Sequence, residues 1–190
     1  MCGRFYVPEN DGVGMLRAVL ENLEHRNVMV KTGDVCPGDM AAVVACNRKM
    51  APQPFAMEWG FKLPEGKRVF NARSETASQR PMFADGMKQR RCLIPAAYYY
   101  EWEKTPQEKT KYAIAPENTD GFFLAGIYRL EEGAPVFSVL TKSPAESIAF
   151  IHDRMPVILP QEVMADWLNP RYRGDEVLRS AVGDMAYRVC

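Results

Sequence analysis

Between residues 41 and 141 the chain reads as one strand after another, and this limits what it can fold into more than any other feature. Ala41–Cys46 is short, apolar and partly β-branched. Tyr98–Trp102, Lys111–Ala115, Gly121–Leu130 and Val136–Thr141 are β-branched or aromatic runs joined by short connectors. Pro52, Pro54 and Pro64 punctuate the stretch around Phe55–Phe61. Helical spacing is confined to three places. Val13, Leu16, Val19, Leu20 and Leu23 form an apolar stripe with Asp11 as its N-cap. Ser143 and Glu146 suggest a capped helix start, and Gln161–Leu168 a short helix behind Pro160. Strands in the middle with helices at the margins predict an α+β fold, a curved, barrel-like mixed β-sheet with peripheral helices, rather than alternating βαβ units. The 190 residues fit one domain, 1–190, large enough to bury a sizeable core.

Charge excludes some functions and localises others. Lys+Arg and Asp+Glu both number 24, so no partner is held by bulk charge; a nucleic-acid site needs a local cluster of cations. The five cysteines are odd in number and form no Cys-x-x-Cys pair, and there are two histidines, so neither a zinc site nor any other metal or cofactor is expected. The sequence contains neither an apolar run near 18 residues nor a signal-peptide pattern. The expectation is a monomer in a reducing compartment, cytoplasmic with nucleoid association in a bacterium or nuclear in a eukaryote, with its thiols free.

The second residue is Cys2, behind an initiator methionine that is usually removed before a small residue. The exposed residue would carry an α-amine and a thiol on adjacent carbons, a 1,2-aminothiol able to attack one carbonyl twice. The alternative is a tolerant, poorly ordered terminus. Four further segments hold chemistry. Asn71-Ala72-Arg73-Ser74-Glu75-Thr76 packs an amide, a guanidinium, a carboxylate and two hydroxyls with no apolar period; in isolation a solvated turn leading into a capped helix is the favoured explanation. Glu101 lies between aromatics, and is desolvated if it faces inward or an ordinary surface carboxylate if outward. His152 sits among charges ahead of the apolar Val157–Leu159, as a proton carrier or a structural histidine. His25 closes the first helix and suits its dipole. Trp59, followed by Gly60, has core packing as its ordinary explanation.

In this order, MCGRF, WGF-x-x-P, NARSET, RCLIPA-x-x-x-YEW and IHDRMPVIL closely resemble the SOS response-associated peptidase (SRAP) family. The motifs run from residue 2 to 167, with 168–190 as an extension of the same domain. The resemblance implies recognition of abasic sites in single-stranded DNA and covalent capture through Cys2, as a thiazolidine, in the DNA damage response. It implies Cys2, Asn71, Glu101 and His152 as catalytic residues. Glu101 would accept a proton from the amine, His152 would protonate the sugar's ring oxygen, and Asn71 would position the amine or sugar. Arg4, Arg73 and Arg154 would bind phosphates, each beside a chemical residue, with Pro37 and Trp59 offering faces to bases and Thr141 near the backbone. Two departures stand out: Ala97-Tyr98 replaces the usual Asp/Ser-Gly, and Cys36 stands where a small residue is more usual. Two other functions compete. One is an N-terminal-nucleophile cysteine peptidase or autoprocessing enzyme; the other is a non-catalytic single-strand DNA-binding module.

Overall fold

A computed structural model describes residues 2–9, 14–104 and 109–190. The Asp11 cap and Val13 fall outside those residues. The chain begins with β1 (Phe5–Val7), α1 (Met15–His25), β2 (Gly33–Val35), β3 (Met40–Cys46) and β4 (Pro52–Trp59). The small hairpin β5 (Phe61–Lys62) and β6 (Arg68–Val69) precedes β7 (Asn71–Arg73), α2 (Ser74–Ala77) and α3 (Pro81–Gln89). Five long strands follow: β8 (Arg91–Ala96), β9 (Tyr98–Lys104), β10 (Lys109–Pro116), β11 (Phe122–Glu131) and β12 (Ala134–Lys142). After a 3₁₀ turn at Glu146–Ile148 come β13 (Met155–Pro156), β14 (Ile158–Leu159), α4 (Gln161–Leu168), α5 (Gly174–Val177) and β15 (Met185–Val189).

Apart from the two-stranded β5–β6 hairpin, the strands build two sheets. In the larger, the order β12-β4-β3-β8-β11 closes on itself because β11 also pairs with β12. This five-strand barrel is mixed: β12 runs parallel to β4 and antiparallel to β11. β7, β13 and β14 hang on its rim, β7 as a parallel neighbour of β12. The second sheet is antiparallel, in the order β15-β10-β9-β1-β2. The α+β expectation with a curved, barrel-like sheet is therefore met.

Strand alternation sorts the core into two layers. Val43, Met57, Ile94, Leu124 and Phe137 join Phe5, Val35, Tyr99 and Ile114 of the second sheet. Their neighbours in sequence, among them Ala42, Leu93, Ala125 and Ile127, face the opposite way. There they meet Val19 and Leu23 of α1 and Trp167 of α4. α1 forms because its apolar stripe needs this surface; Leu16, Val19 and Leu23 are its buried residues. The Ser143 cap is not formed. The chain stays irregular to Ala145, and a single turn without a side-chain cap suffices to bury Ile148 before the chain bends towards His152.

Gly126 shows how tightly the barrel is filled. A Cβ there would lie 2.5 Å from Ile94 Cδ1 and 3.1 Å from both Cys92 Sγ and the Ser138 carbonyl oxygen. Relief requires backbone movement as well as a rotamer change, so Gly126→Ala is expected to destabilise the fold by about 1–3 kcal/mol. Urea denaturation would measure it. An unchanged midpoint would mean that the barrel yields more readily than this packing implies.

Candidate active site

β1 is only three residues long, yet it lies inside a sheet. β2 pairs with one edge and β9 with the other. The ladder continues past the strand, since the Tyr100 N–H donates to the Arg4 carbonyl at 2.9 Å and the Ala97 N–H to the Tyr6 carbonyl at 2.9 Å. Phe5 is fully buried against Trp59, with ring centroids 4.9 Å apart. This grip draws Cys2 into the core, where it is 0 % exposed with Sγ 3.8 Å from the Arg4 carbonyl oxygen. The poorly ordered terminus is thereby excluded.

Asn71 reaches Cys2 from the barrel. Parallel pairing of β7 with β12 sets its position, and its Nδ2 donates to the Cys2 carbonyl at 2.8 Å. Glu101 follows from alternation along β9. Tyr99 and Glu101 face inward, while Tyr98, Tyr100 and Trp102 face outward. The inward reading of Glu101 holds, with the residue 4 % exposed. Burial raises its pKa, and the charge of His152 opposes part of that rise. Burial also pushes the Cys2 thiol far above its ordinary value, with the Glu101 charge adding to the effect. Tyr99, fully buried, is raised in turn by burial and by Cys2 and Glu101. The chain thus brings three acidic groups together at its N-terminus, where the charge of Glu101 disfavours ionisation of both Cys2 and Tyr99.

His152 follows the 3₁₀ turn and is half-buried. Its Nδ1 accepts from the Arg154 backbone N–H at 3.1 Å. Asp153 Oδ1 lies 2.8 Å from the same Nδ1 and is positioned to receive a proton there when the ring is charged.

The expected DNA contacts divide. Arg73 is exposed, and Pro37 is half-buried in the turn after β2. Arg4 lies 5.3 Å from the Trp102 ring centroid and 3.5 Å from Asp34. Arg154 is committed elsewhere: its terminal nitrogens donate to both Glu75 oxygens at 2.8 Å and to the Thr141 carbonyl at 2.6 Å. Thr141 is 1 % exposed, and its hydroxyl faces Arg154 and the Ala72 carbonyl, not solvent. Trp59 requires a correction. It is 0 % exposed, stacks on Phe137 and donates from Nε1 to the Phe70 carbonyl at 2.9 Å. Phe5, Phe70 and Phe137 pack around the ring, so it offers no face to a base.

Sequence reasoning missed Glu75 as the clamp on Arg154, a pairing across 79 positions. It also missed Tyr99, whose alternation with Glu101 was available as a signal. Replacement of the usual glycine by Tyr98 leaves β9 intact: Tyr98 is extended and paired with Tyr6. Among the described residues no group of three or more His, Cys, Asp or Glu is placed to hold a metal. No helix there is long and apolar enough to cross a membrane.

A family profile for the SOS response associated peptidases (SRAP) matches residues 1–188. The chain belongs to the SRAP family. It is 36% identical over 136 residues to the abasic site processing protein YoqW of Bacillus subtilis, covering 65% of this chain and 61% of that protein. The abasic site processing protein HMCES of Xenopus tropicalis is 28% identical over 148 residues, 60% of this chain and 44% of that one. The matches thus span about three fifths of YoqW and less of HMCES. Among solved structures, a protein of Bacteroides thetaiotaomicron superposes with a TM-score of 0.79 at 21% identity, covering 99% of this chain and 91% of its own. A phage-related protein of Bordetella bronchiseptica gives 0.73 at 22%, covering 100% and 94%. Both share the fold of this chain.

Glu101 makes a prediction with a definite sign. A carboxyl whose folded pKa lies above its unfolded value, near 4.3, keeps its proton in the folded state while the unfolded chain ionises. Its contribution to stability therefore falls as pH rises from the unfolded pKa through the folded one. Glu101→Gln removes that dependence. Below about pH 4 the two proteins should be equally stable. Above it the variant should gain until the native carboxyl ionises, and then keep a constant advantage. Urea midpoints across this range would check the trend, and a variant less stable at neutral pH would contradict it.

Proposed function

We propose that this SRAP protein captures abasic sites in single-stranded DNA as a covalent thiazolidine on Cys2, after Met1 is removed. The observation that carries the reading is the enclosure of Cys2 beside Glu101, with Asn71 bonded to its carbonyl. The abasic-site names of the relatives support the substrate. In the reaction, the free α-amine adds to C1′ of the ring-opened sugar. The carbinolamine loses water to give an imine, and the thiol then adds to the same carbon while its proton passes to nitrogen. One water leaves in all, and no oxidant or reductant is needed.

The chain's groups suit these steps. An α-amine with an ordinary pKa near 8 is partly neutral at pH 7 and attacks first. The buried thiol stays protonated and closes the ring second. Glu101, its pKa raised by burial, takes up and returns protons at the amine and the departing water. His152 carries a proton to the sugar oxygen as the ring opens. Arg4 and Arg73 offer phosphate contacts, each worth roughly 0.7 in the log–log salt slope on a single strand. Arg154 serves through Glu75 and Thr141 as a brace.

A cysteine-peptidase reading has less support. A nucleophilic cysteine needs a lowered pKa beside a base. Here burial raises the thiol, and its hydrogen-bond acceptor is the Arg4 carbonyl.

The test is to mix protein, with Met1 removal verified by intact mass, with an oligonucleotide bearing one abasic site. Wild-type protein should give a slower band on a denaturing gel, and Cys2→Ala none. Glu101→Gln should slow formation by about 10²–10⁴. Absence of the wild-type band would end the proposal. Rapid peptide cleavage without an adduct would put the peptidase first.

A further inference from the structure

The outer face of the five-stranded sheet carries a second feature that the chemistry at Cys2 does not use. Alternation places Tyr98, Tyr100 and Trp102 of β9 on that face, and pairing adds Tyr6 of β1. The rings form a continuous row. Tyr6 and Tyr98 stack at 4.6 Å with planes 5° apart, Tyr98 meets Tyr100 at 5.2 Å, and Tyr100 meets Trp102 at 6.4 Å. Cations from neighbouring strands lie over the row. Arg188 is 5.2 Å from the Tyr98 centroid, Lys111 is 3.6 Å from Tyr100, and Lys109 and Arg4 are 5.4 and 5.3 Å from Trp102. Among the described side chains of these strands, Asp34 is the only carboxylate that the register puts on this face, opposite Tyr6.

We infer that this face is a stacking platform for unpaired bases of a nucleic-acid strand, read without regard to sequence. Three properties point to that occupant. Tyr6, Tyr98 and Trp102 are half-buried on this face and offer π-faces that every base can use, while Tyr100, 7 % exposed beneath Lys111, links them within the row. The interleaved cations match a phosphate backbone that runs alongside stacked bases. The row is also continuous with the site described above: Arg4, which lies over Trp102, is two residues from Cys2. With the face empty the cations rest on the rings, an interaction weak enough at a surface for phosphates to draw them off. The strand flanking a captured sugar would then lie along the row from Trp102 towards Tyr6. This extends the DNA-binding part of the proposed function, but it does not depend on the covalent chemistry.

The test therefore uses strands with no abasic site. Fluorescence anisotropy would follow a labelled oligothymidylate of about 12 nucleotides, within the reach of one such platform. Tyr6→Ala with Tyr98→Ala should weaken binding about tenfold or more, since each lost stack carries a sizeable share of affinity. Lys111→Glu with Arg188→Glu alters half-buried and exposed side chains and tests the same surface if the tyrosine variant fails to fold. It should weaken binding and flatten the salt dependence. Tryptophan emission gives an independent readout. Trp59 and Trp167 are fully buried, so quenching by the oligonucleotide should vanish in Trp102→Phe. Affinities within twofold of wild type in both double variants would overturn the platform. So would a wild-type dimer in light scattering that the variants convert to monomer, which would make the face a protein interface. Adduct formation by wild type with unaffected binding in the variants would sink the platform and leave the Cys2 chemistry standing. Weakened binding without any adduct would do the reverse.

Discussion

The two-sided pairing of β1 is the constraint on which the site depends. Ordering a chain terminus costs roughly 1–2 kcal/mol per residue in backbone entropy, and a three-residue strand at an edge would have little to set against it. Here both edges are hydrogen-bonded, and Phe5 and Val7 are buried. The ladder and the apolar contact together hold Cys2 inside the protein, where a free end would ordinarily fray.

Trp59 transmits that constraint to the barrel. Its ring packs on Phe5, and its indole N–H holds the carbonyl of Phe70, the residue before Asn71. One side chain therefore sets both the depth of β1 and the start of β7. The Asn71–Cys2 hydrogen bond closes the loop of contacts. Behind it, Glu75 fixes Arg154 against the Thr141 carbonyl, which stiffens the rim from which His152 projects. The result is a buried wall in which the charge of Glu101 adds to the rise in the Cys2 thiol's pKa.

Much of this was legible in the sequence because its signals were local. Short apolar, β-branched or aromatic runs marked β3, β9, β10, β11 and β12, apolar helical spacing marked α1, and the Pro160 boundary marked α4. Glu101 was recognisable as a candidate but not as inward-facing, since alternation gives two faces without saying which is buried. What failed was non-local. Trp59 beside glycine reads alike whether its ring meets a base or a core, and only the Phe70 carbonyl and the Phe137 ring decide it. β1 and β15 are short strands stabilised by partners remote in sequence. The Glu75–Arg154 clamp joins segments with no pattern in common. At Ser143 the capping residues were present, but burial of Ile148 needed only one turn.

Burial of the thiol gives the proposed chemistry its order. In water a 1,2-aminothiol could begin with either group, and a thiolate would compete with the amine for an aldehyde. With Cys2 enclosed and its thiol pKa raised, the thiolate is suppressed, and the amine has the first step to itself. The same enclosure favours the second step, because imine formation places the sulfur on a carbon already bonded to its own residue. Ring closure then needs no diffusion and no prior ionisation, only a proton moved from sulfur to nitrogen. Glu101, its pKa raised by burial, is suited to move it. A fold that exposed Cys2 would gain a faster thiolate and lose this order. In the proposed reaction β1, which draws Cys2 into the core, would thus contribute selectivity as well as scaffold.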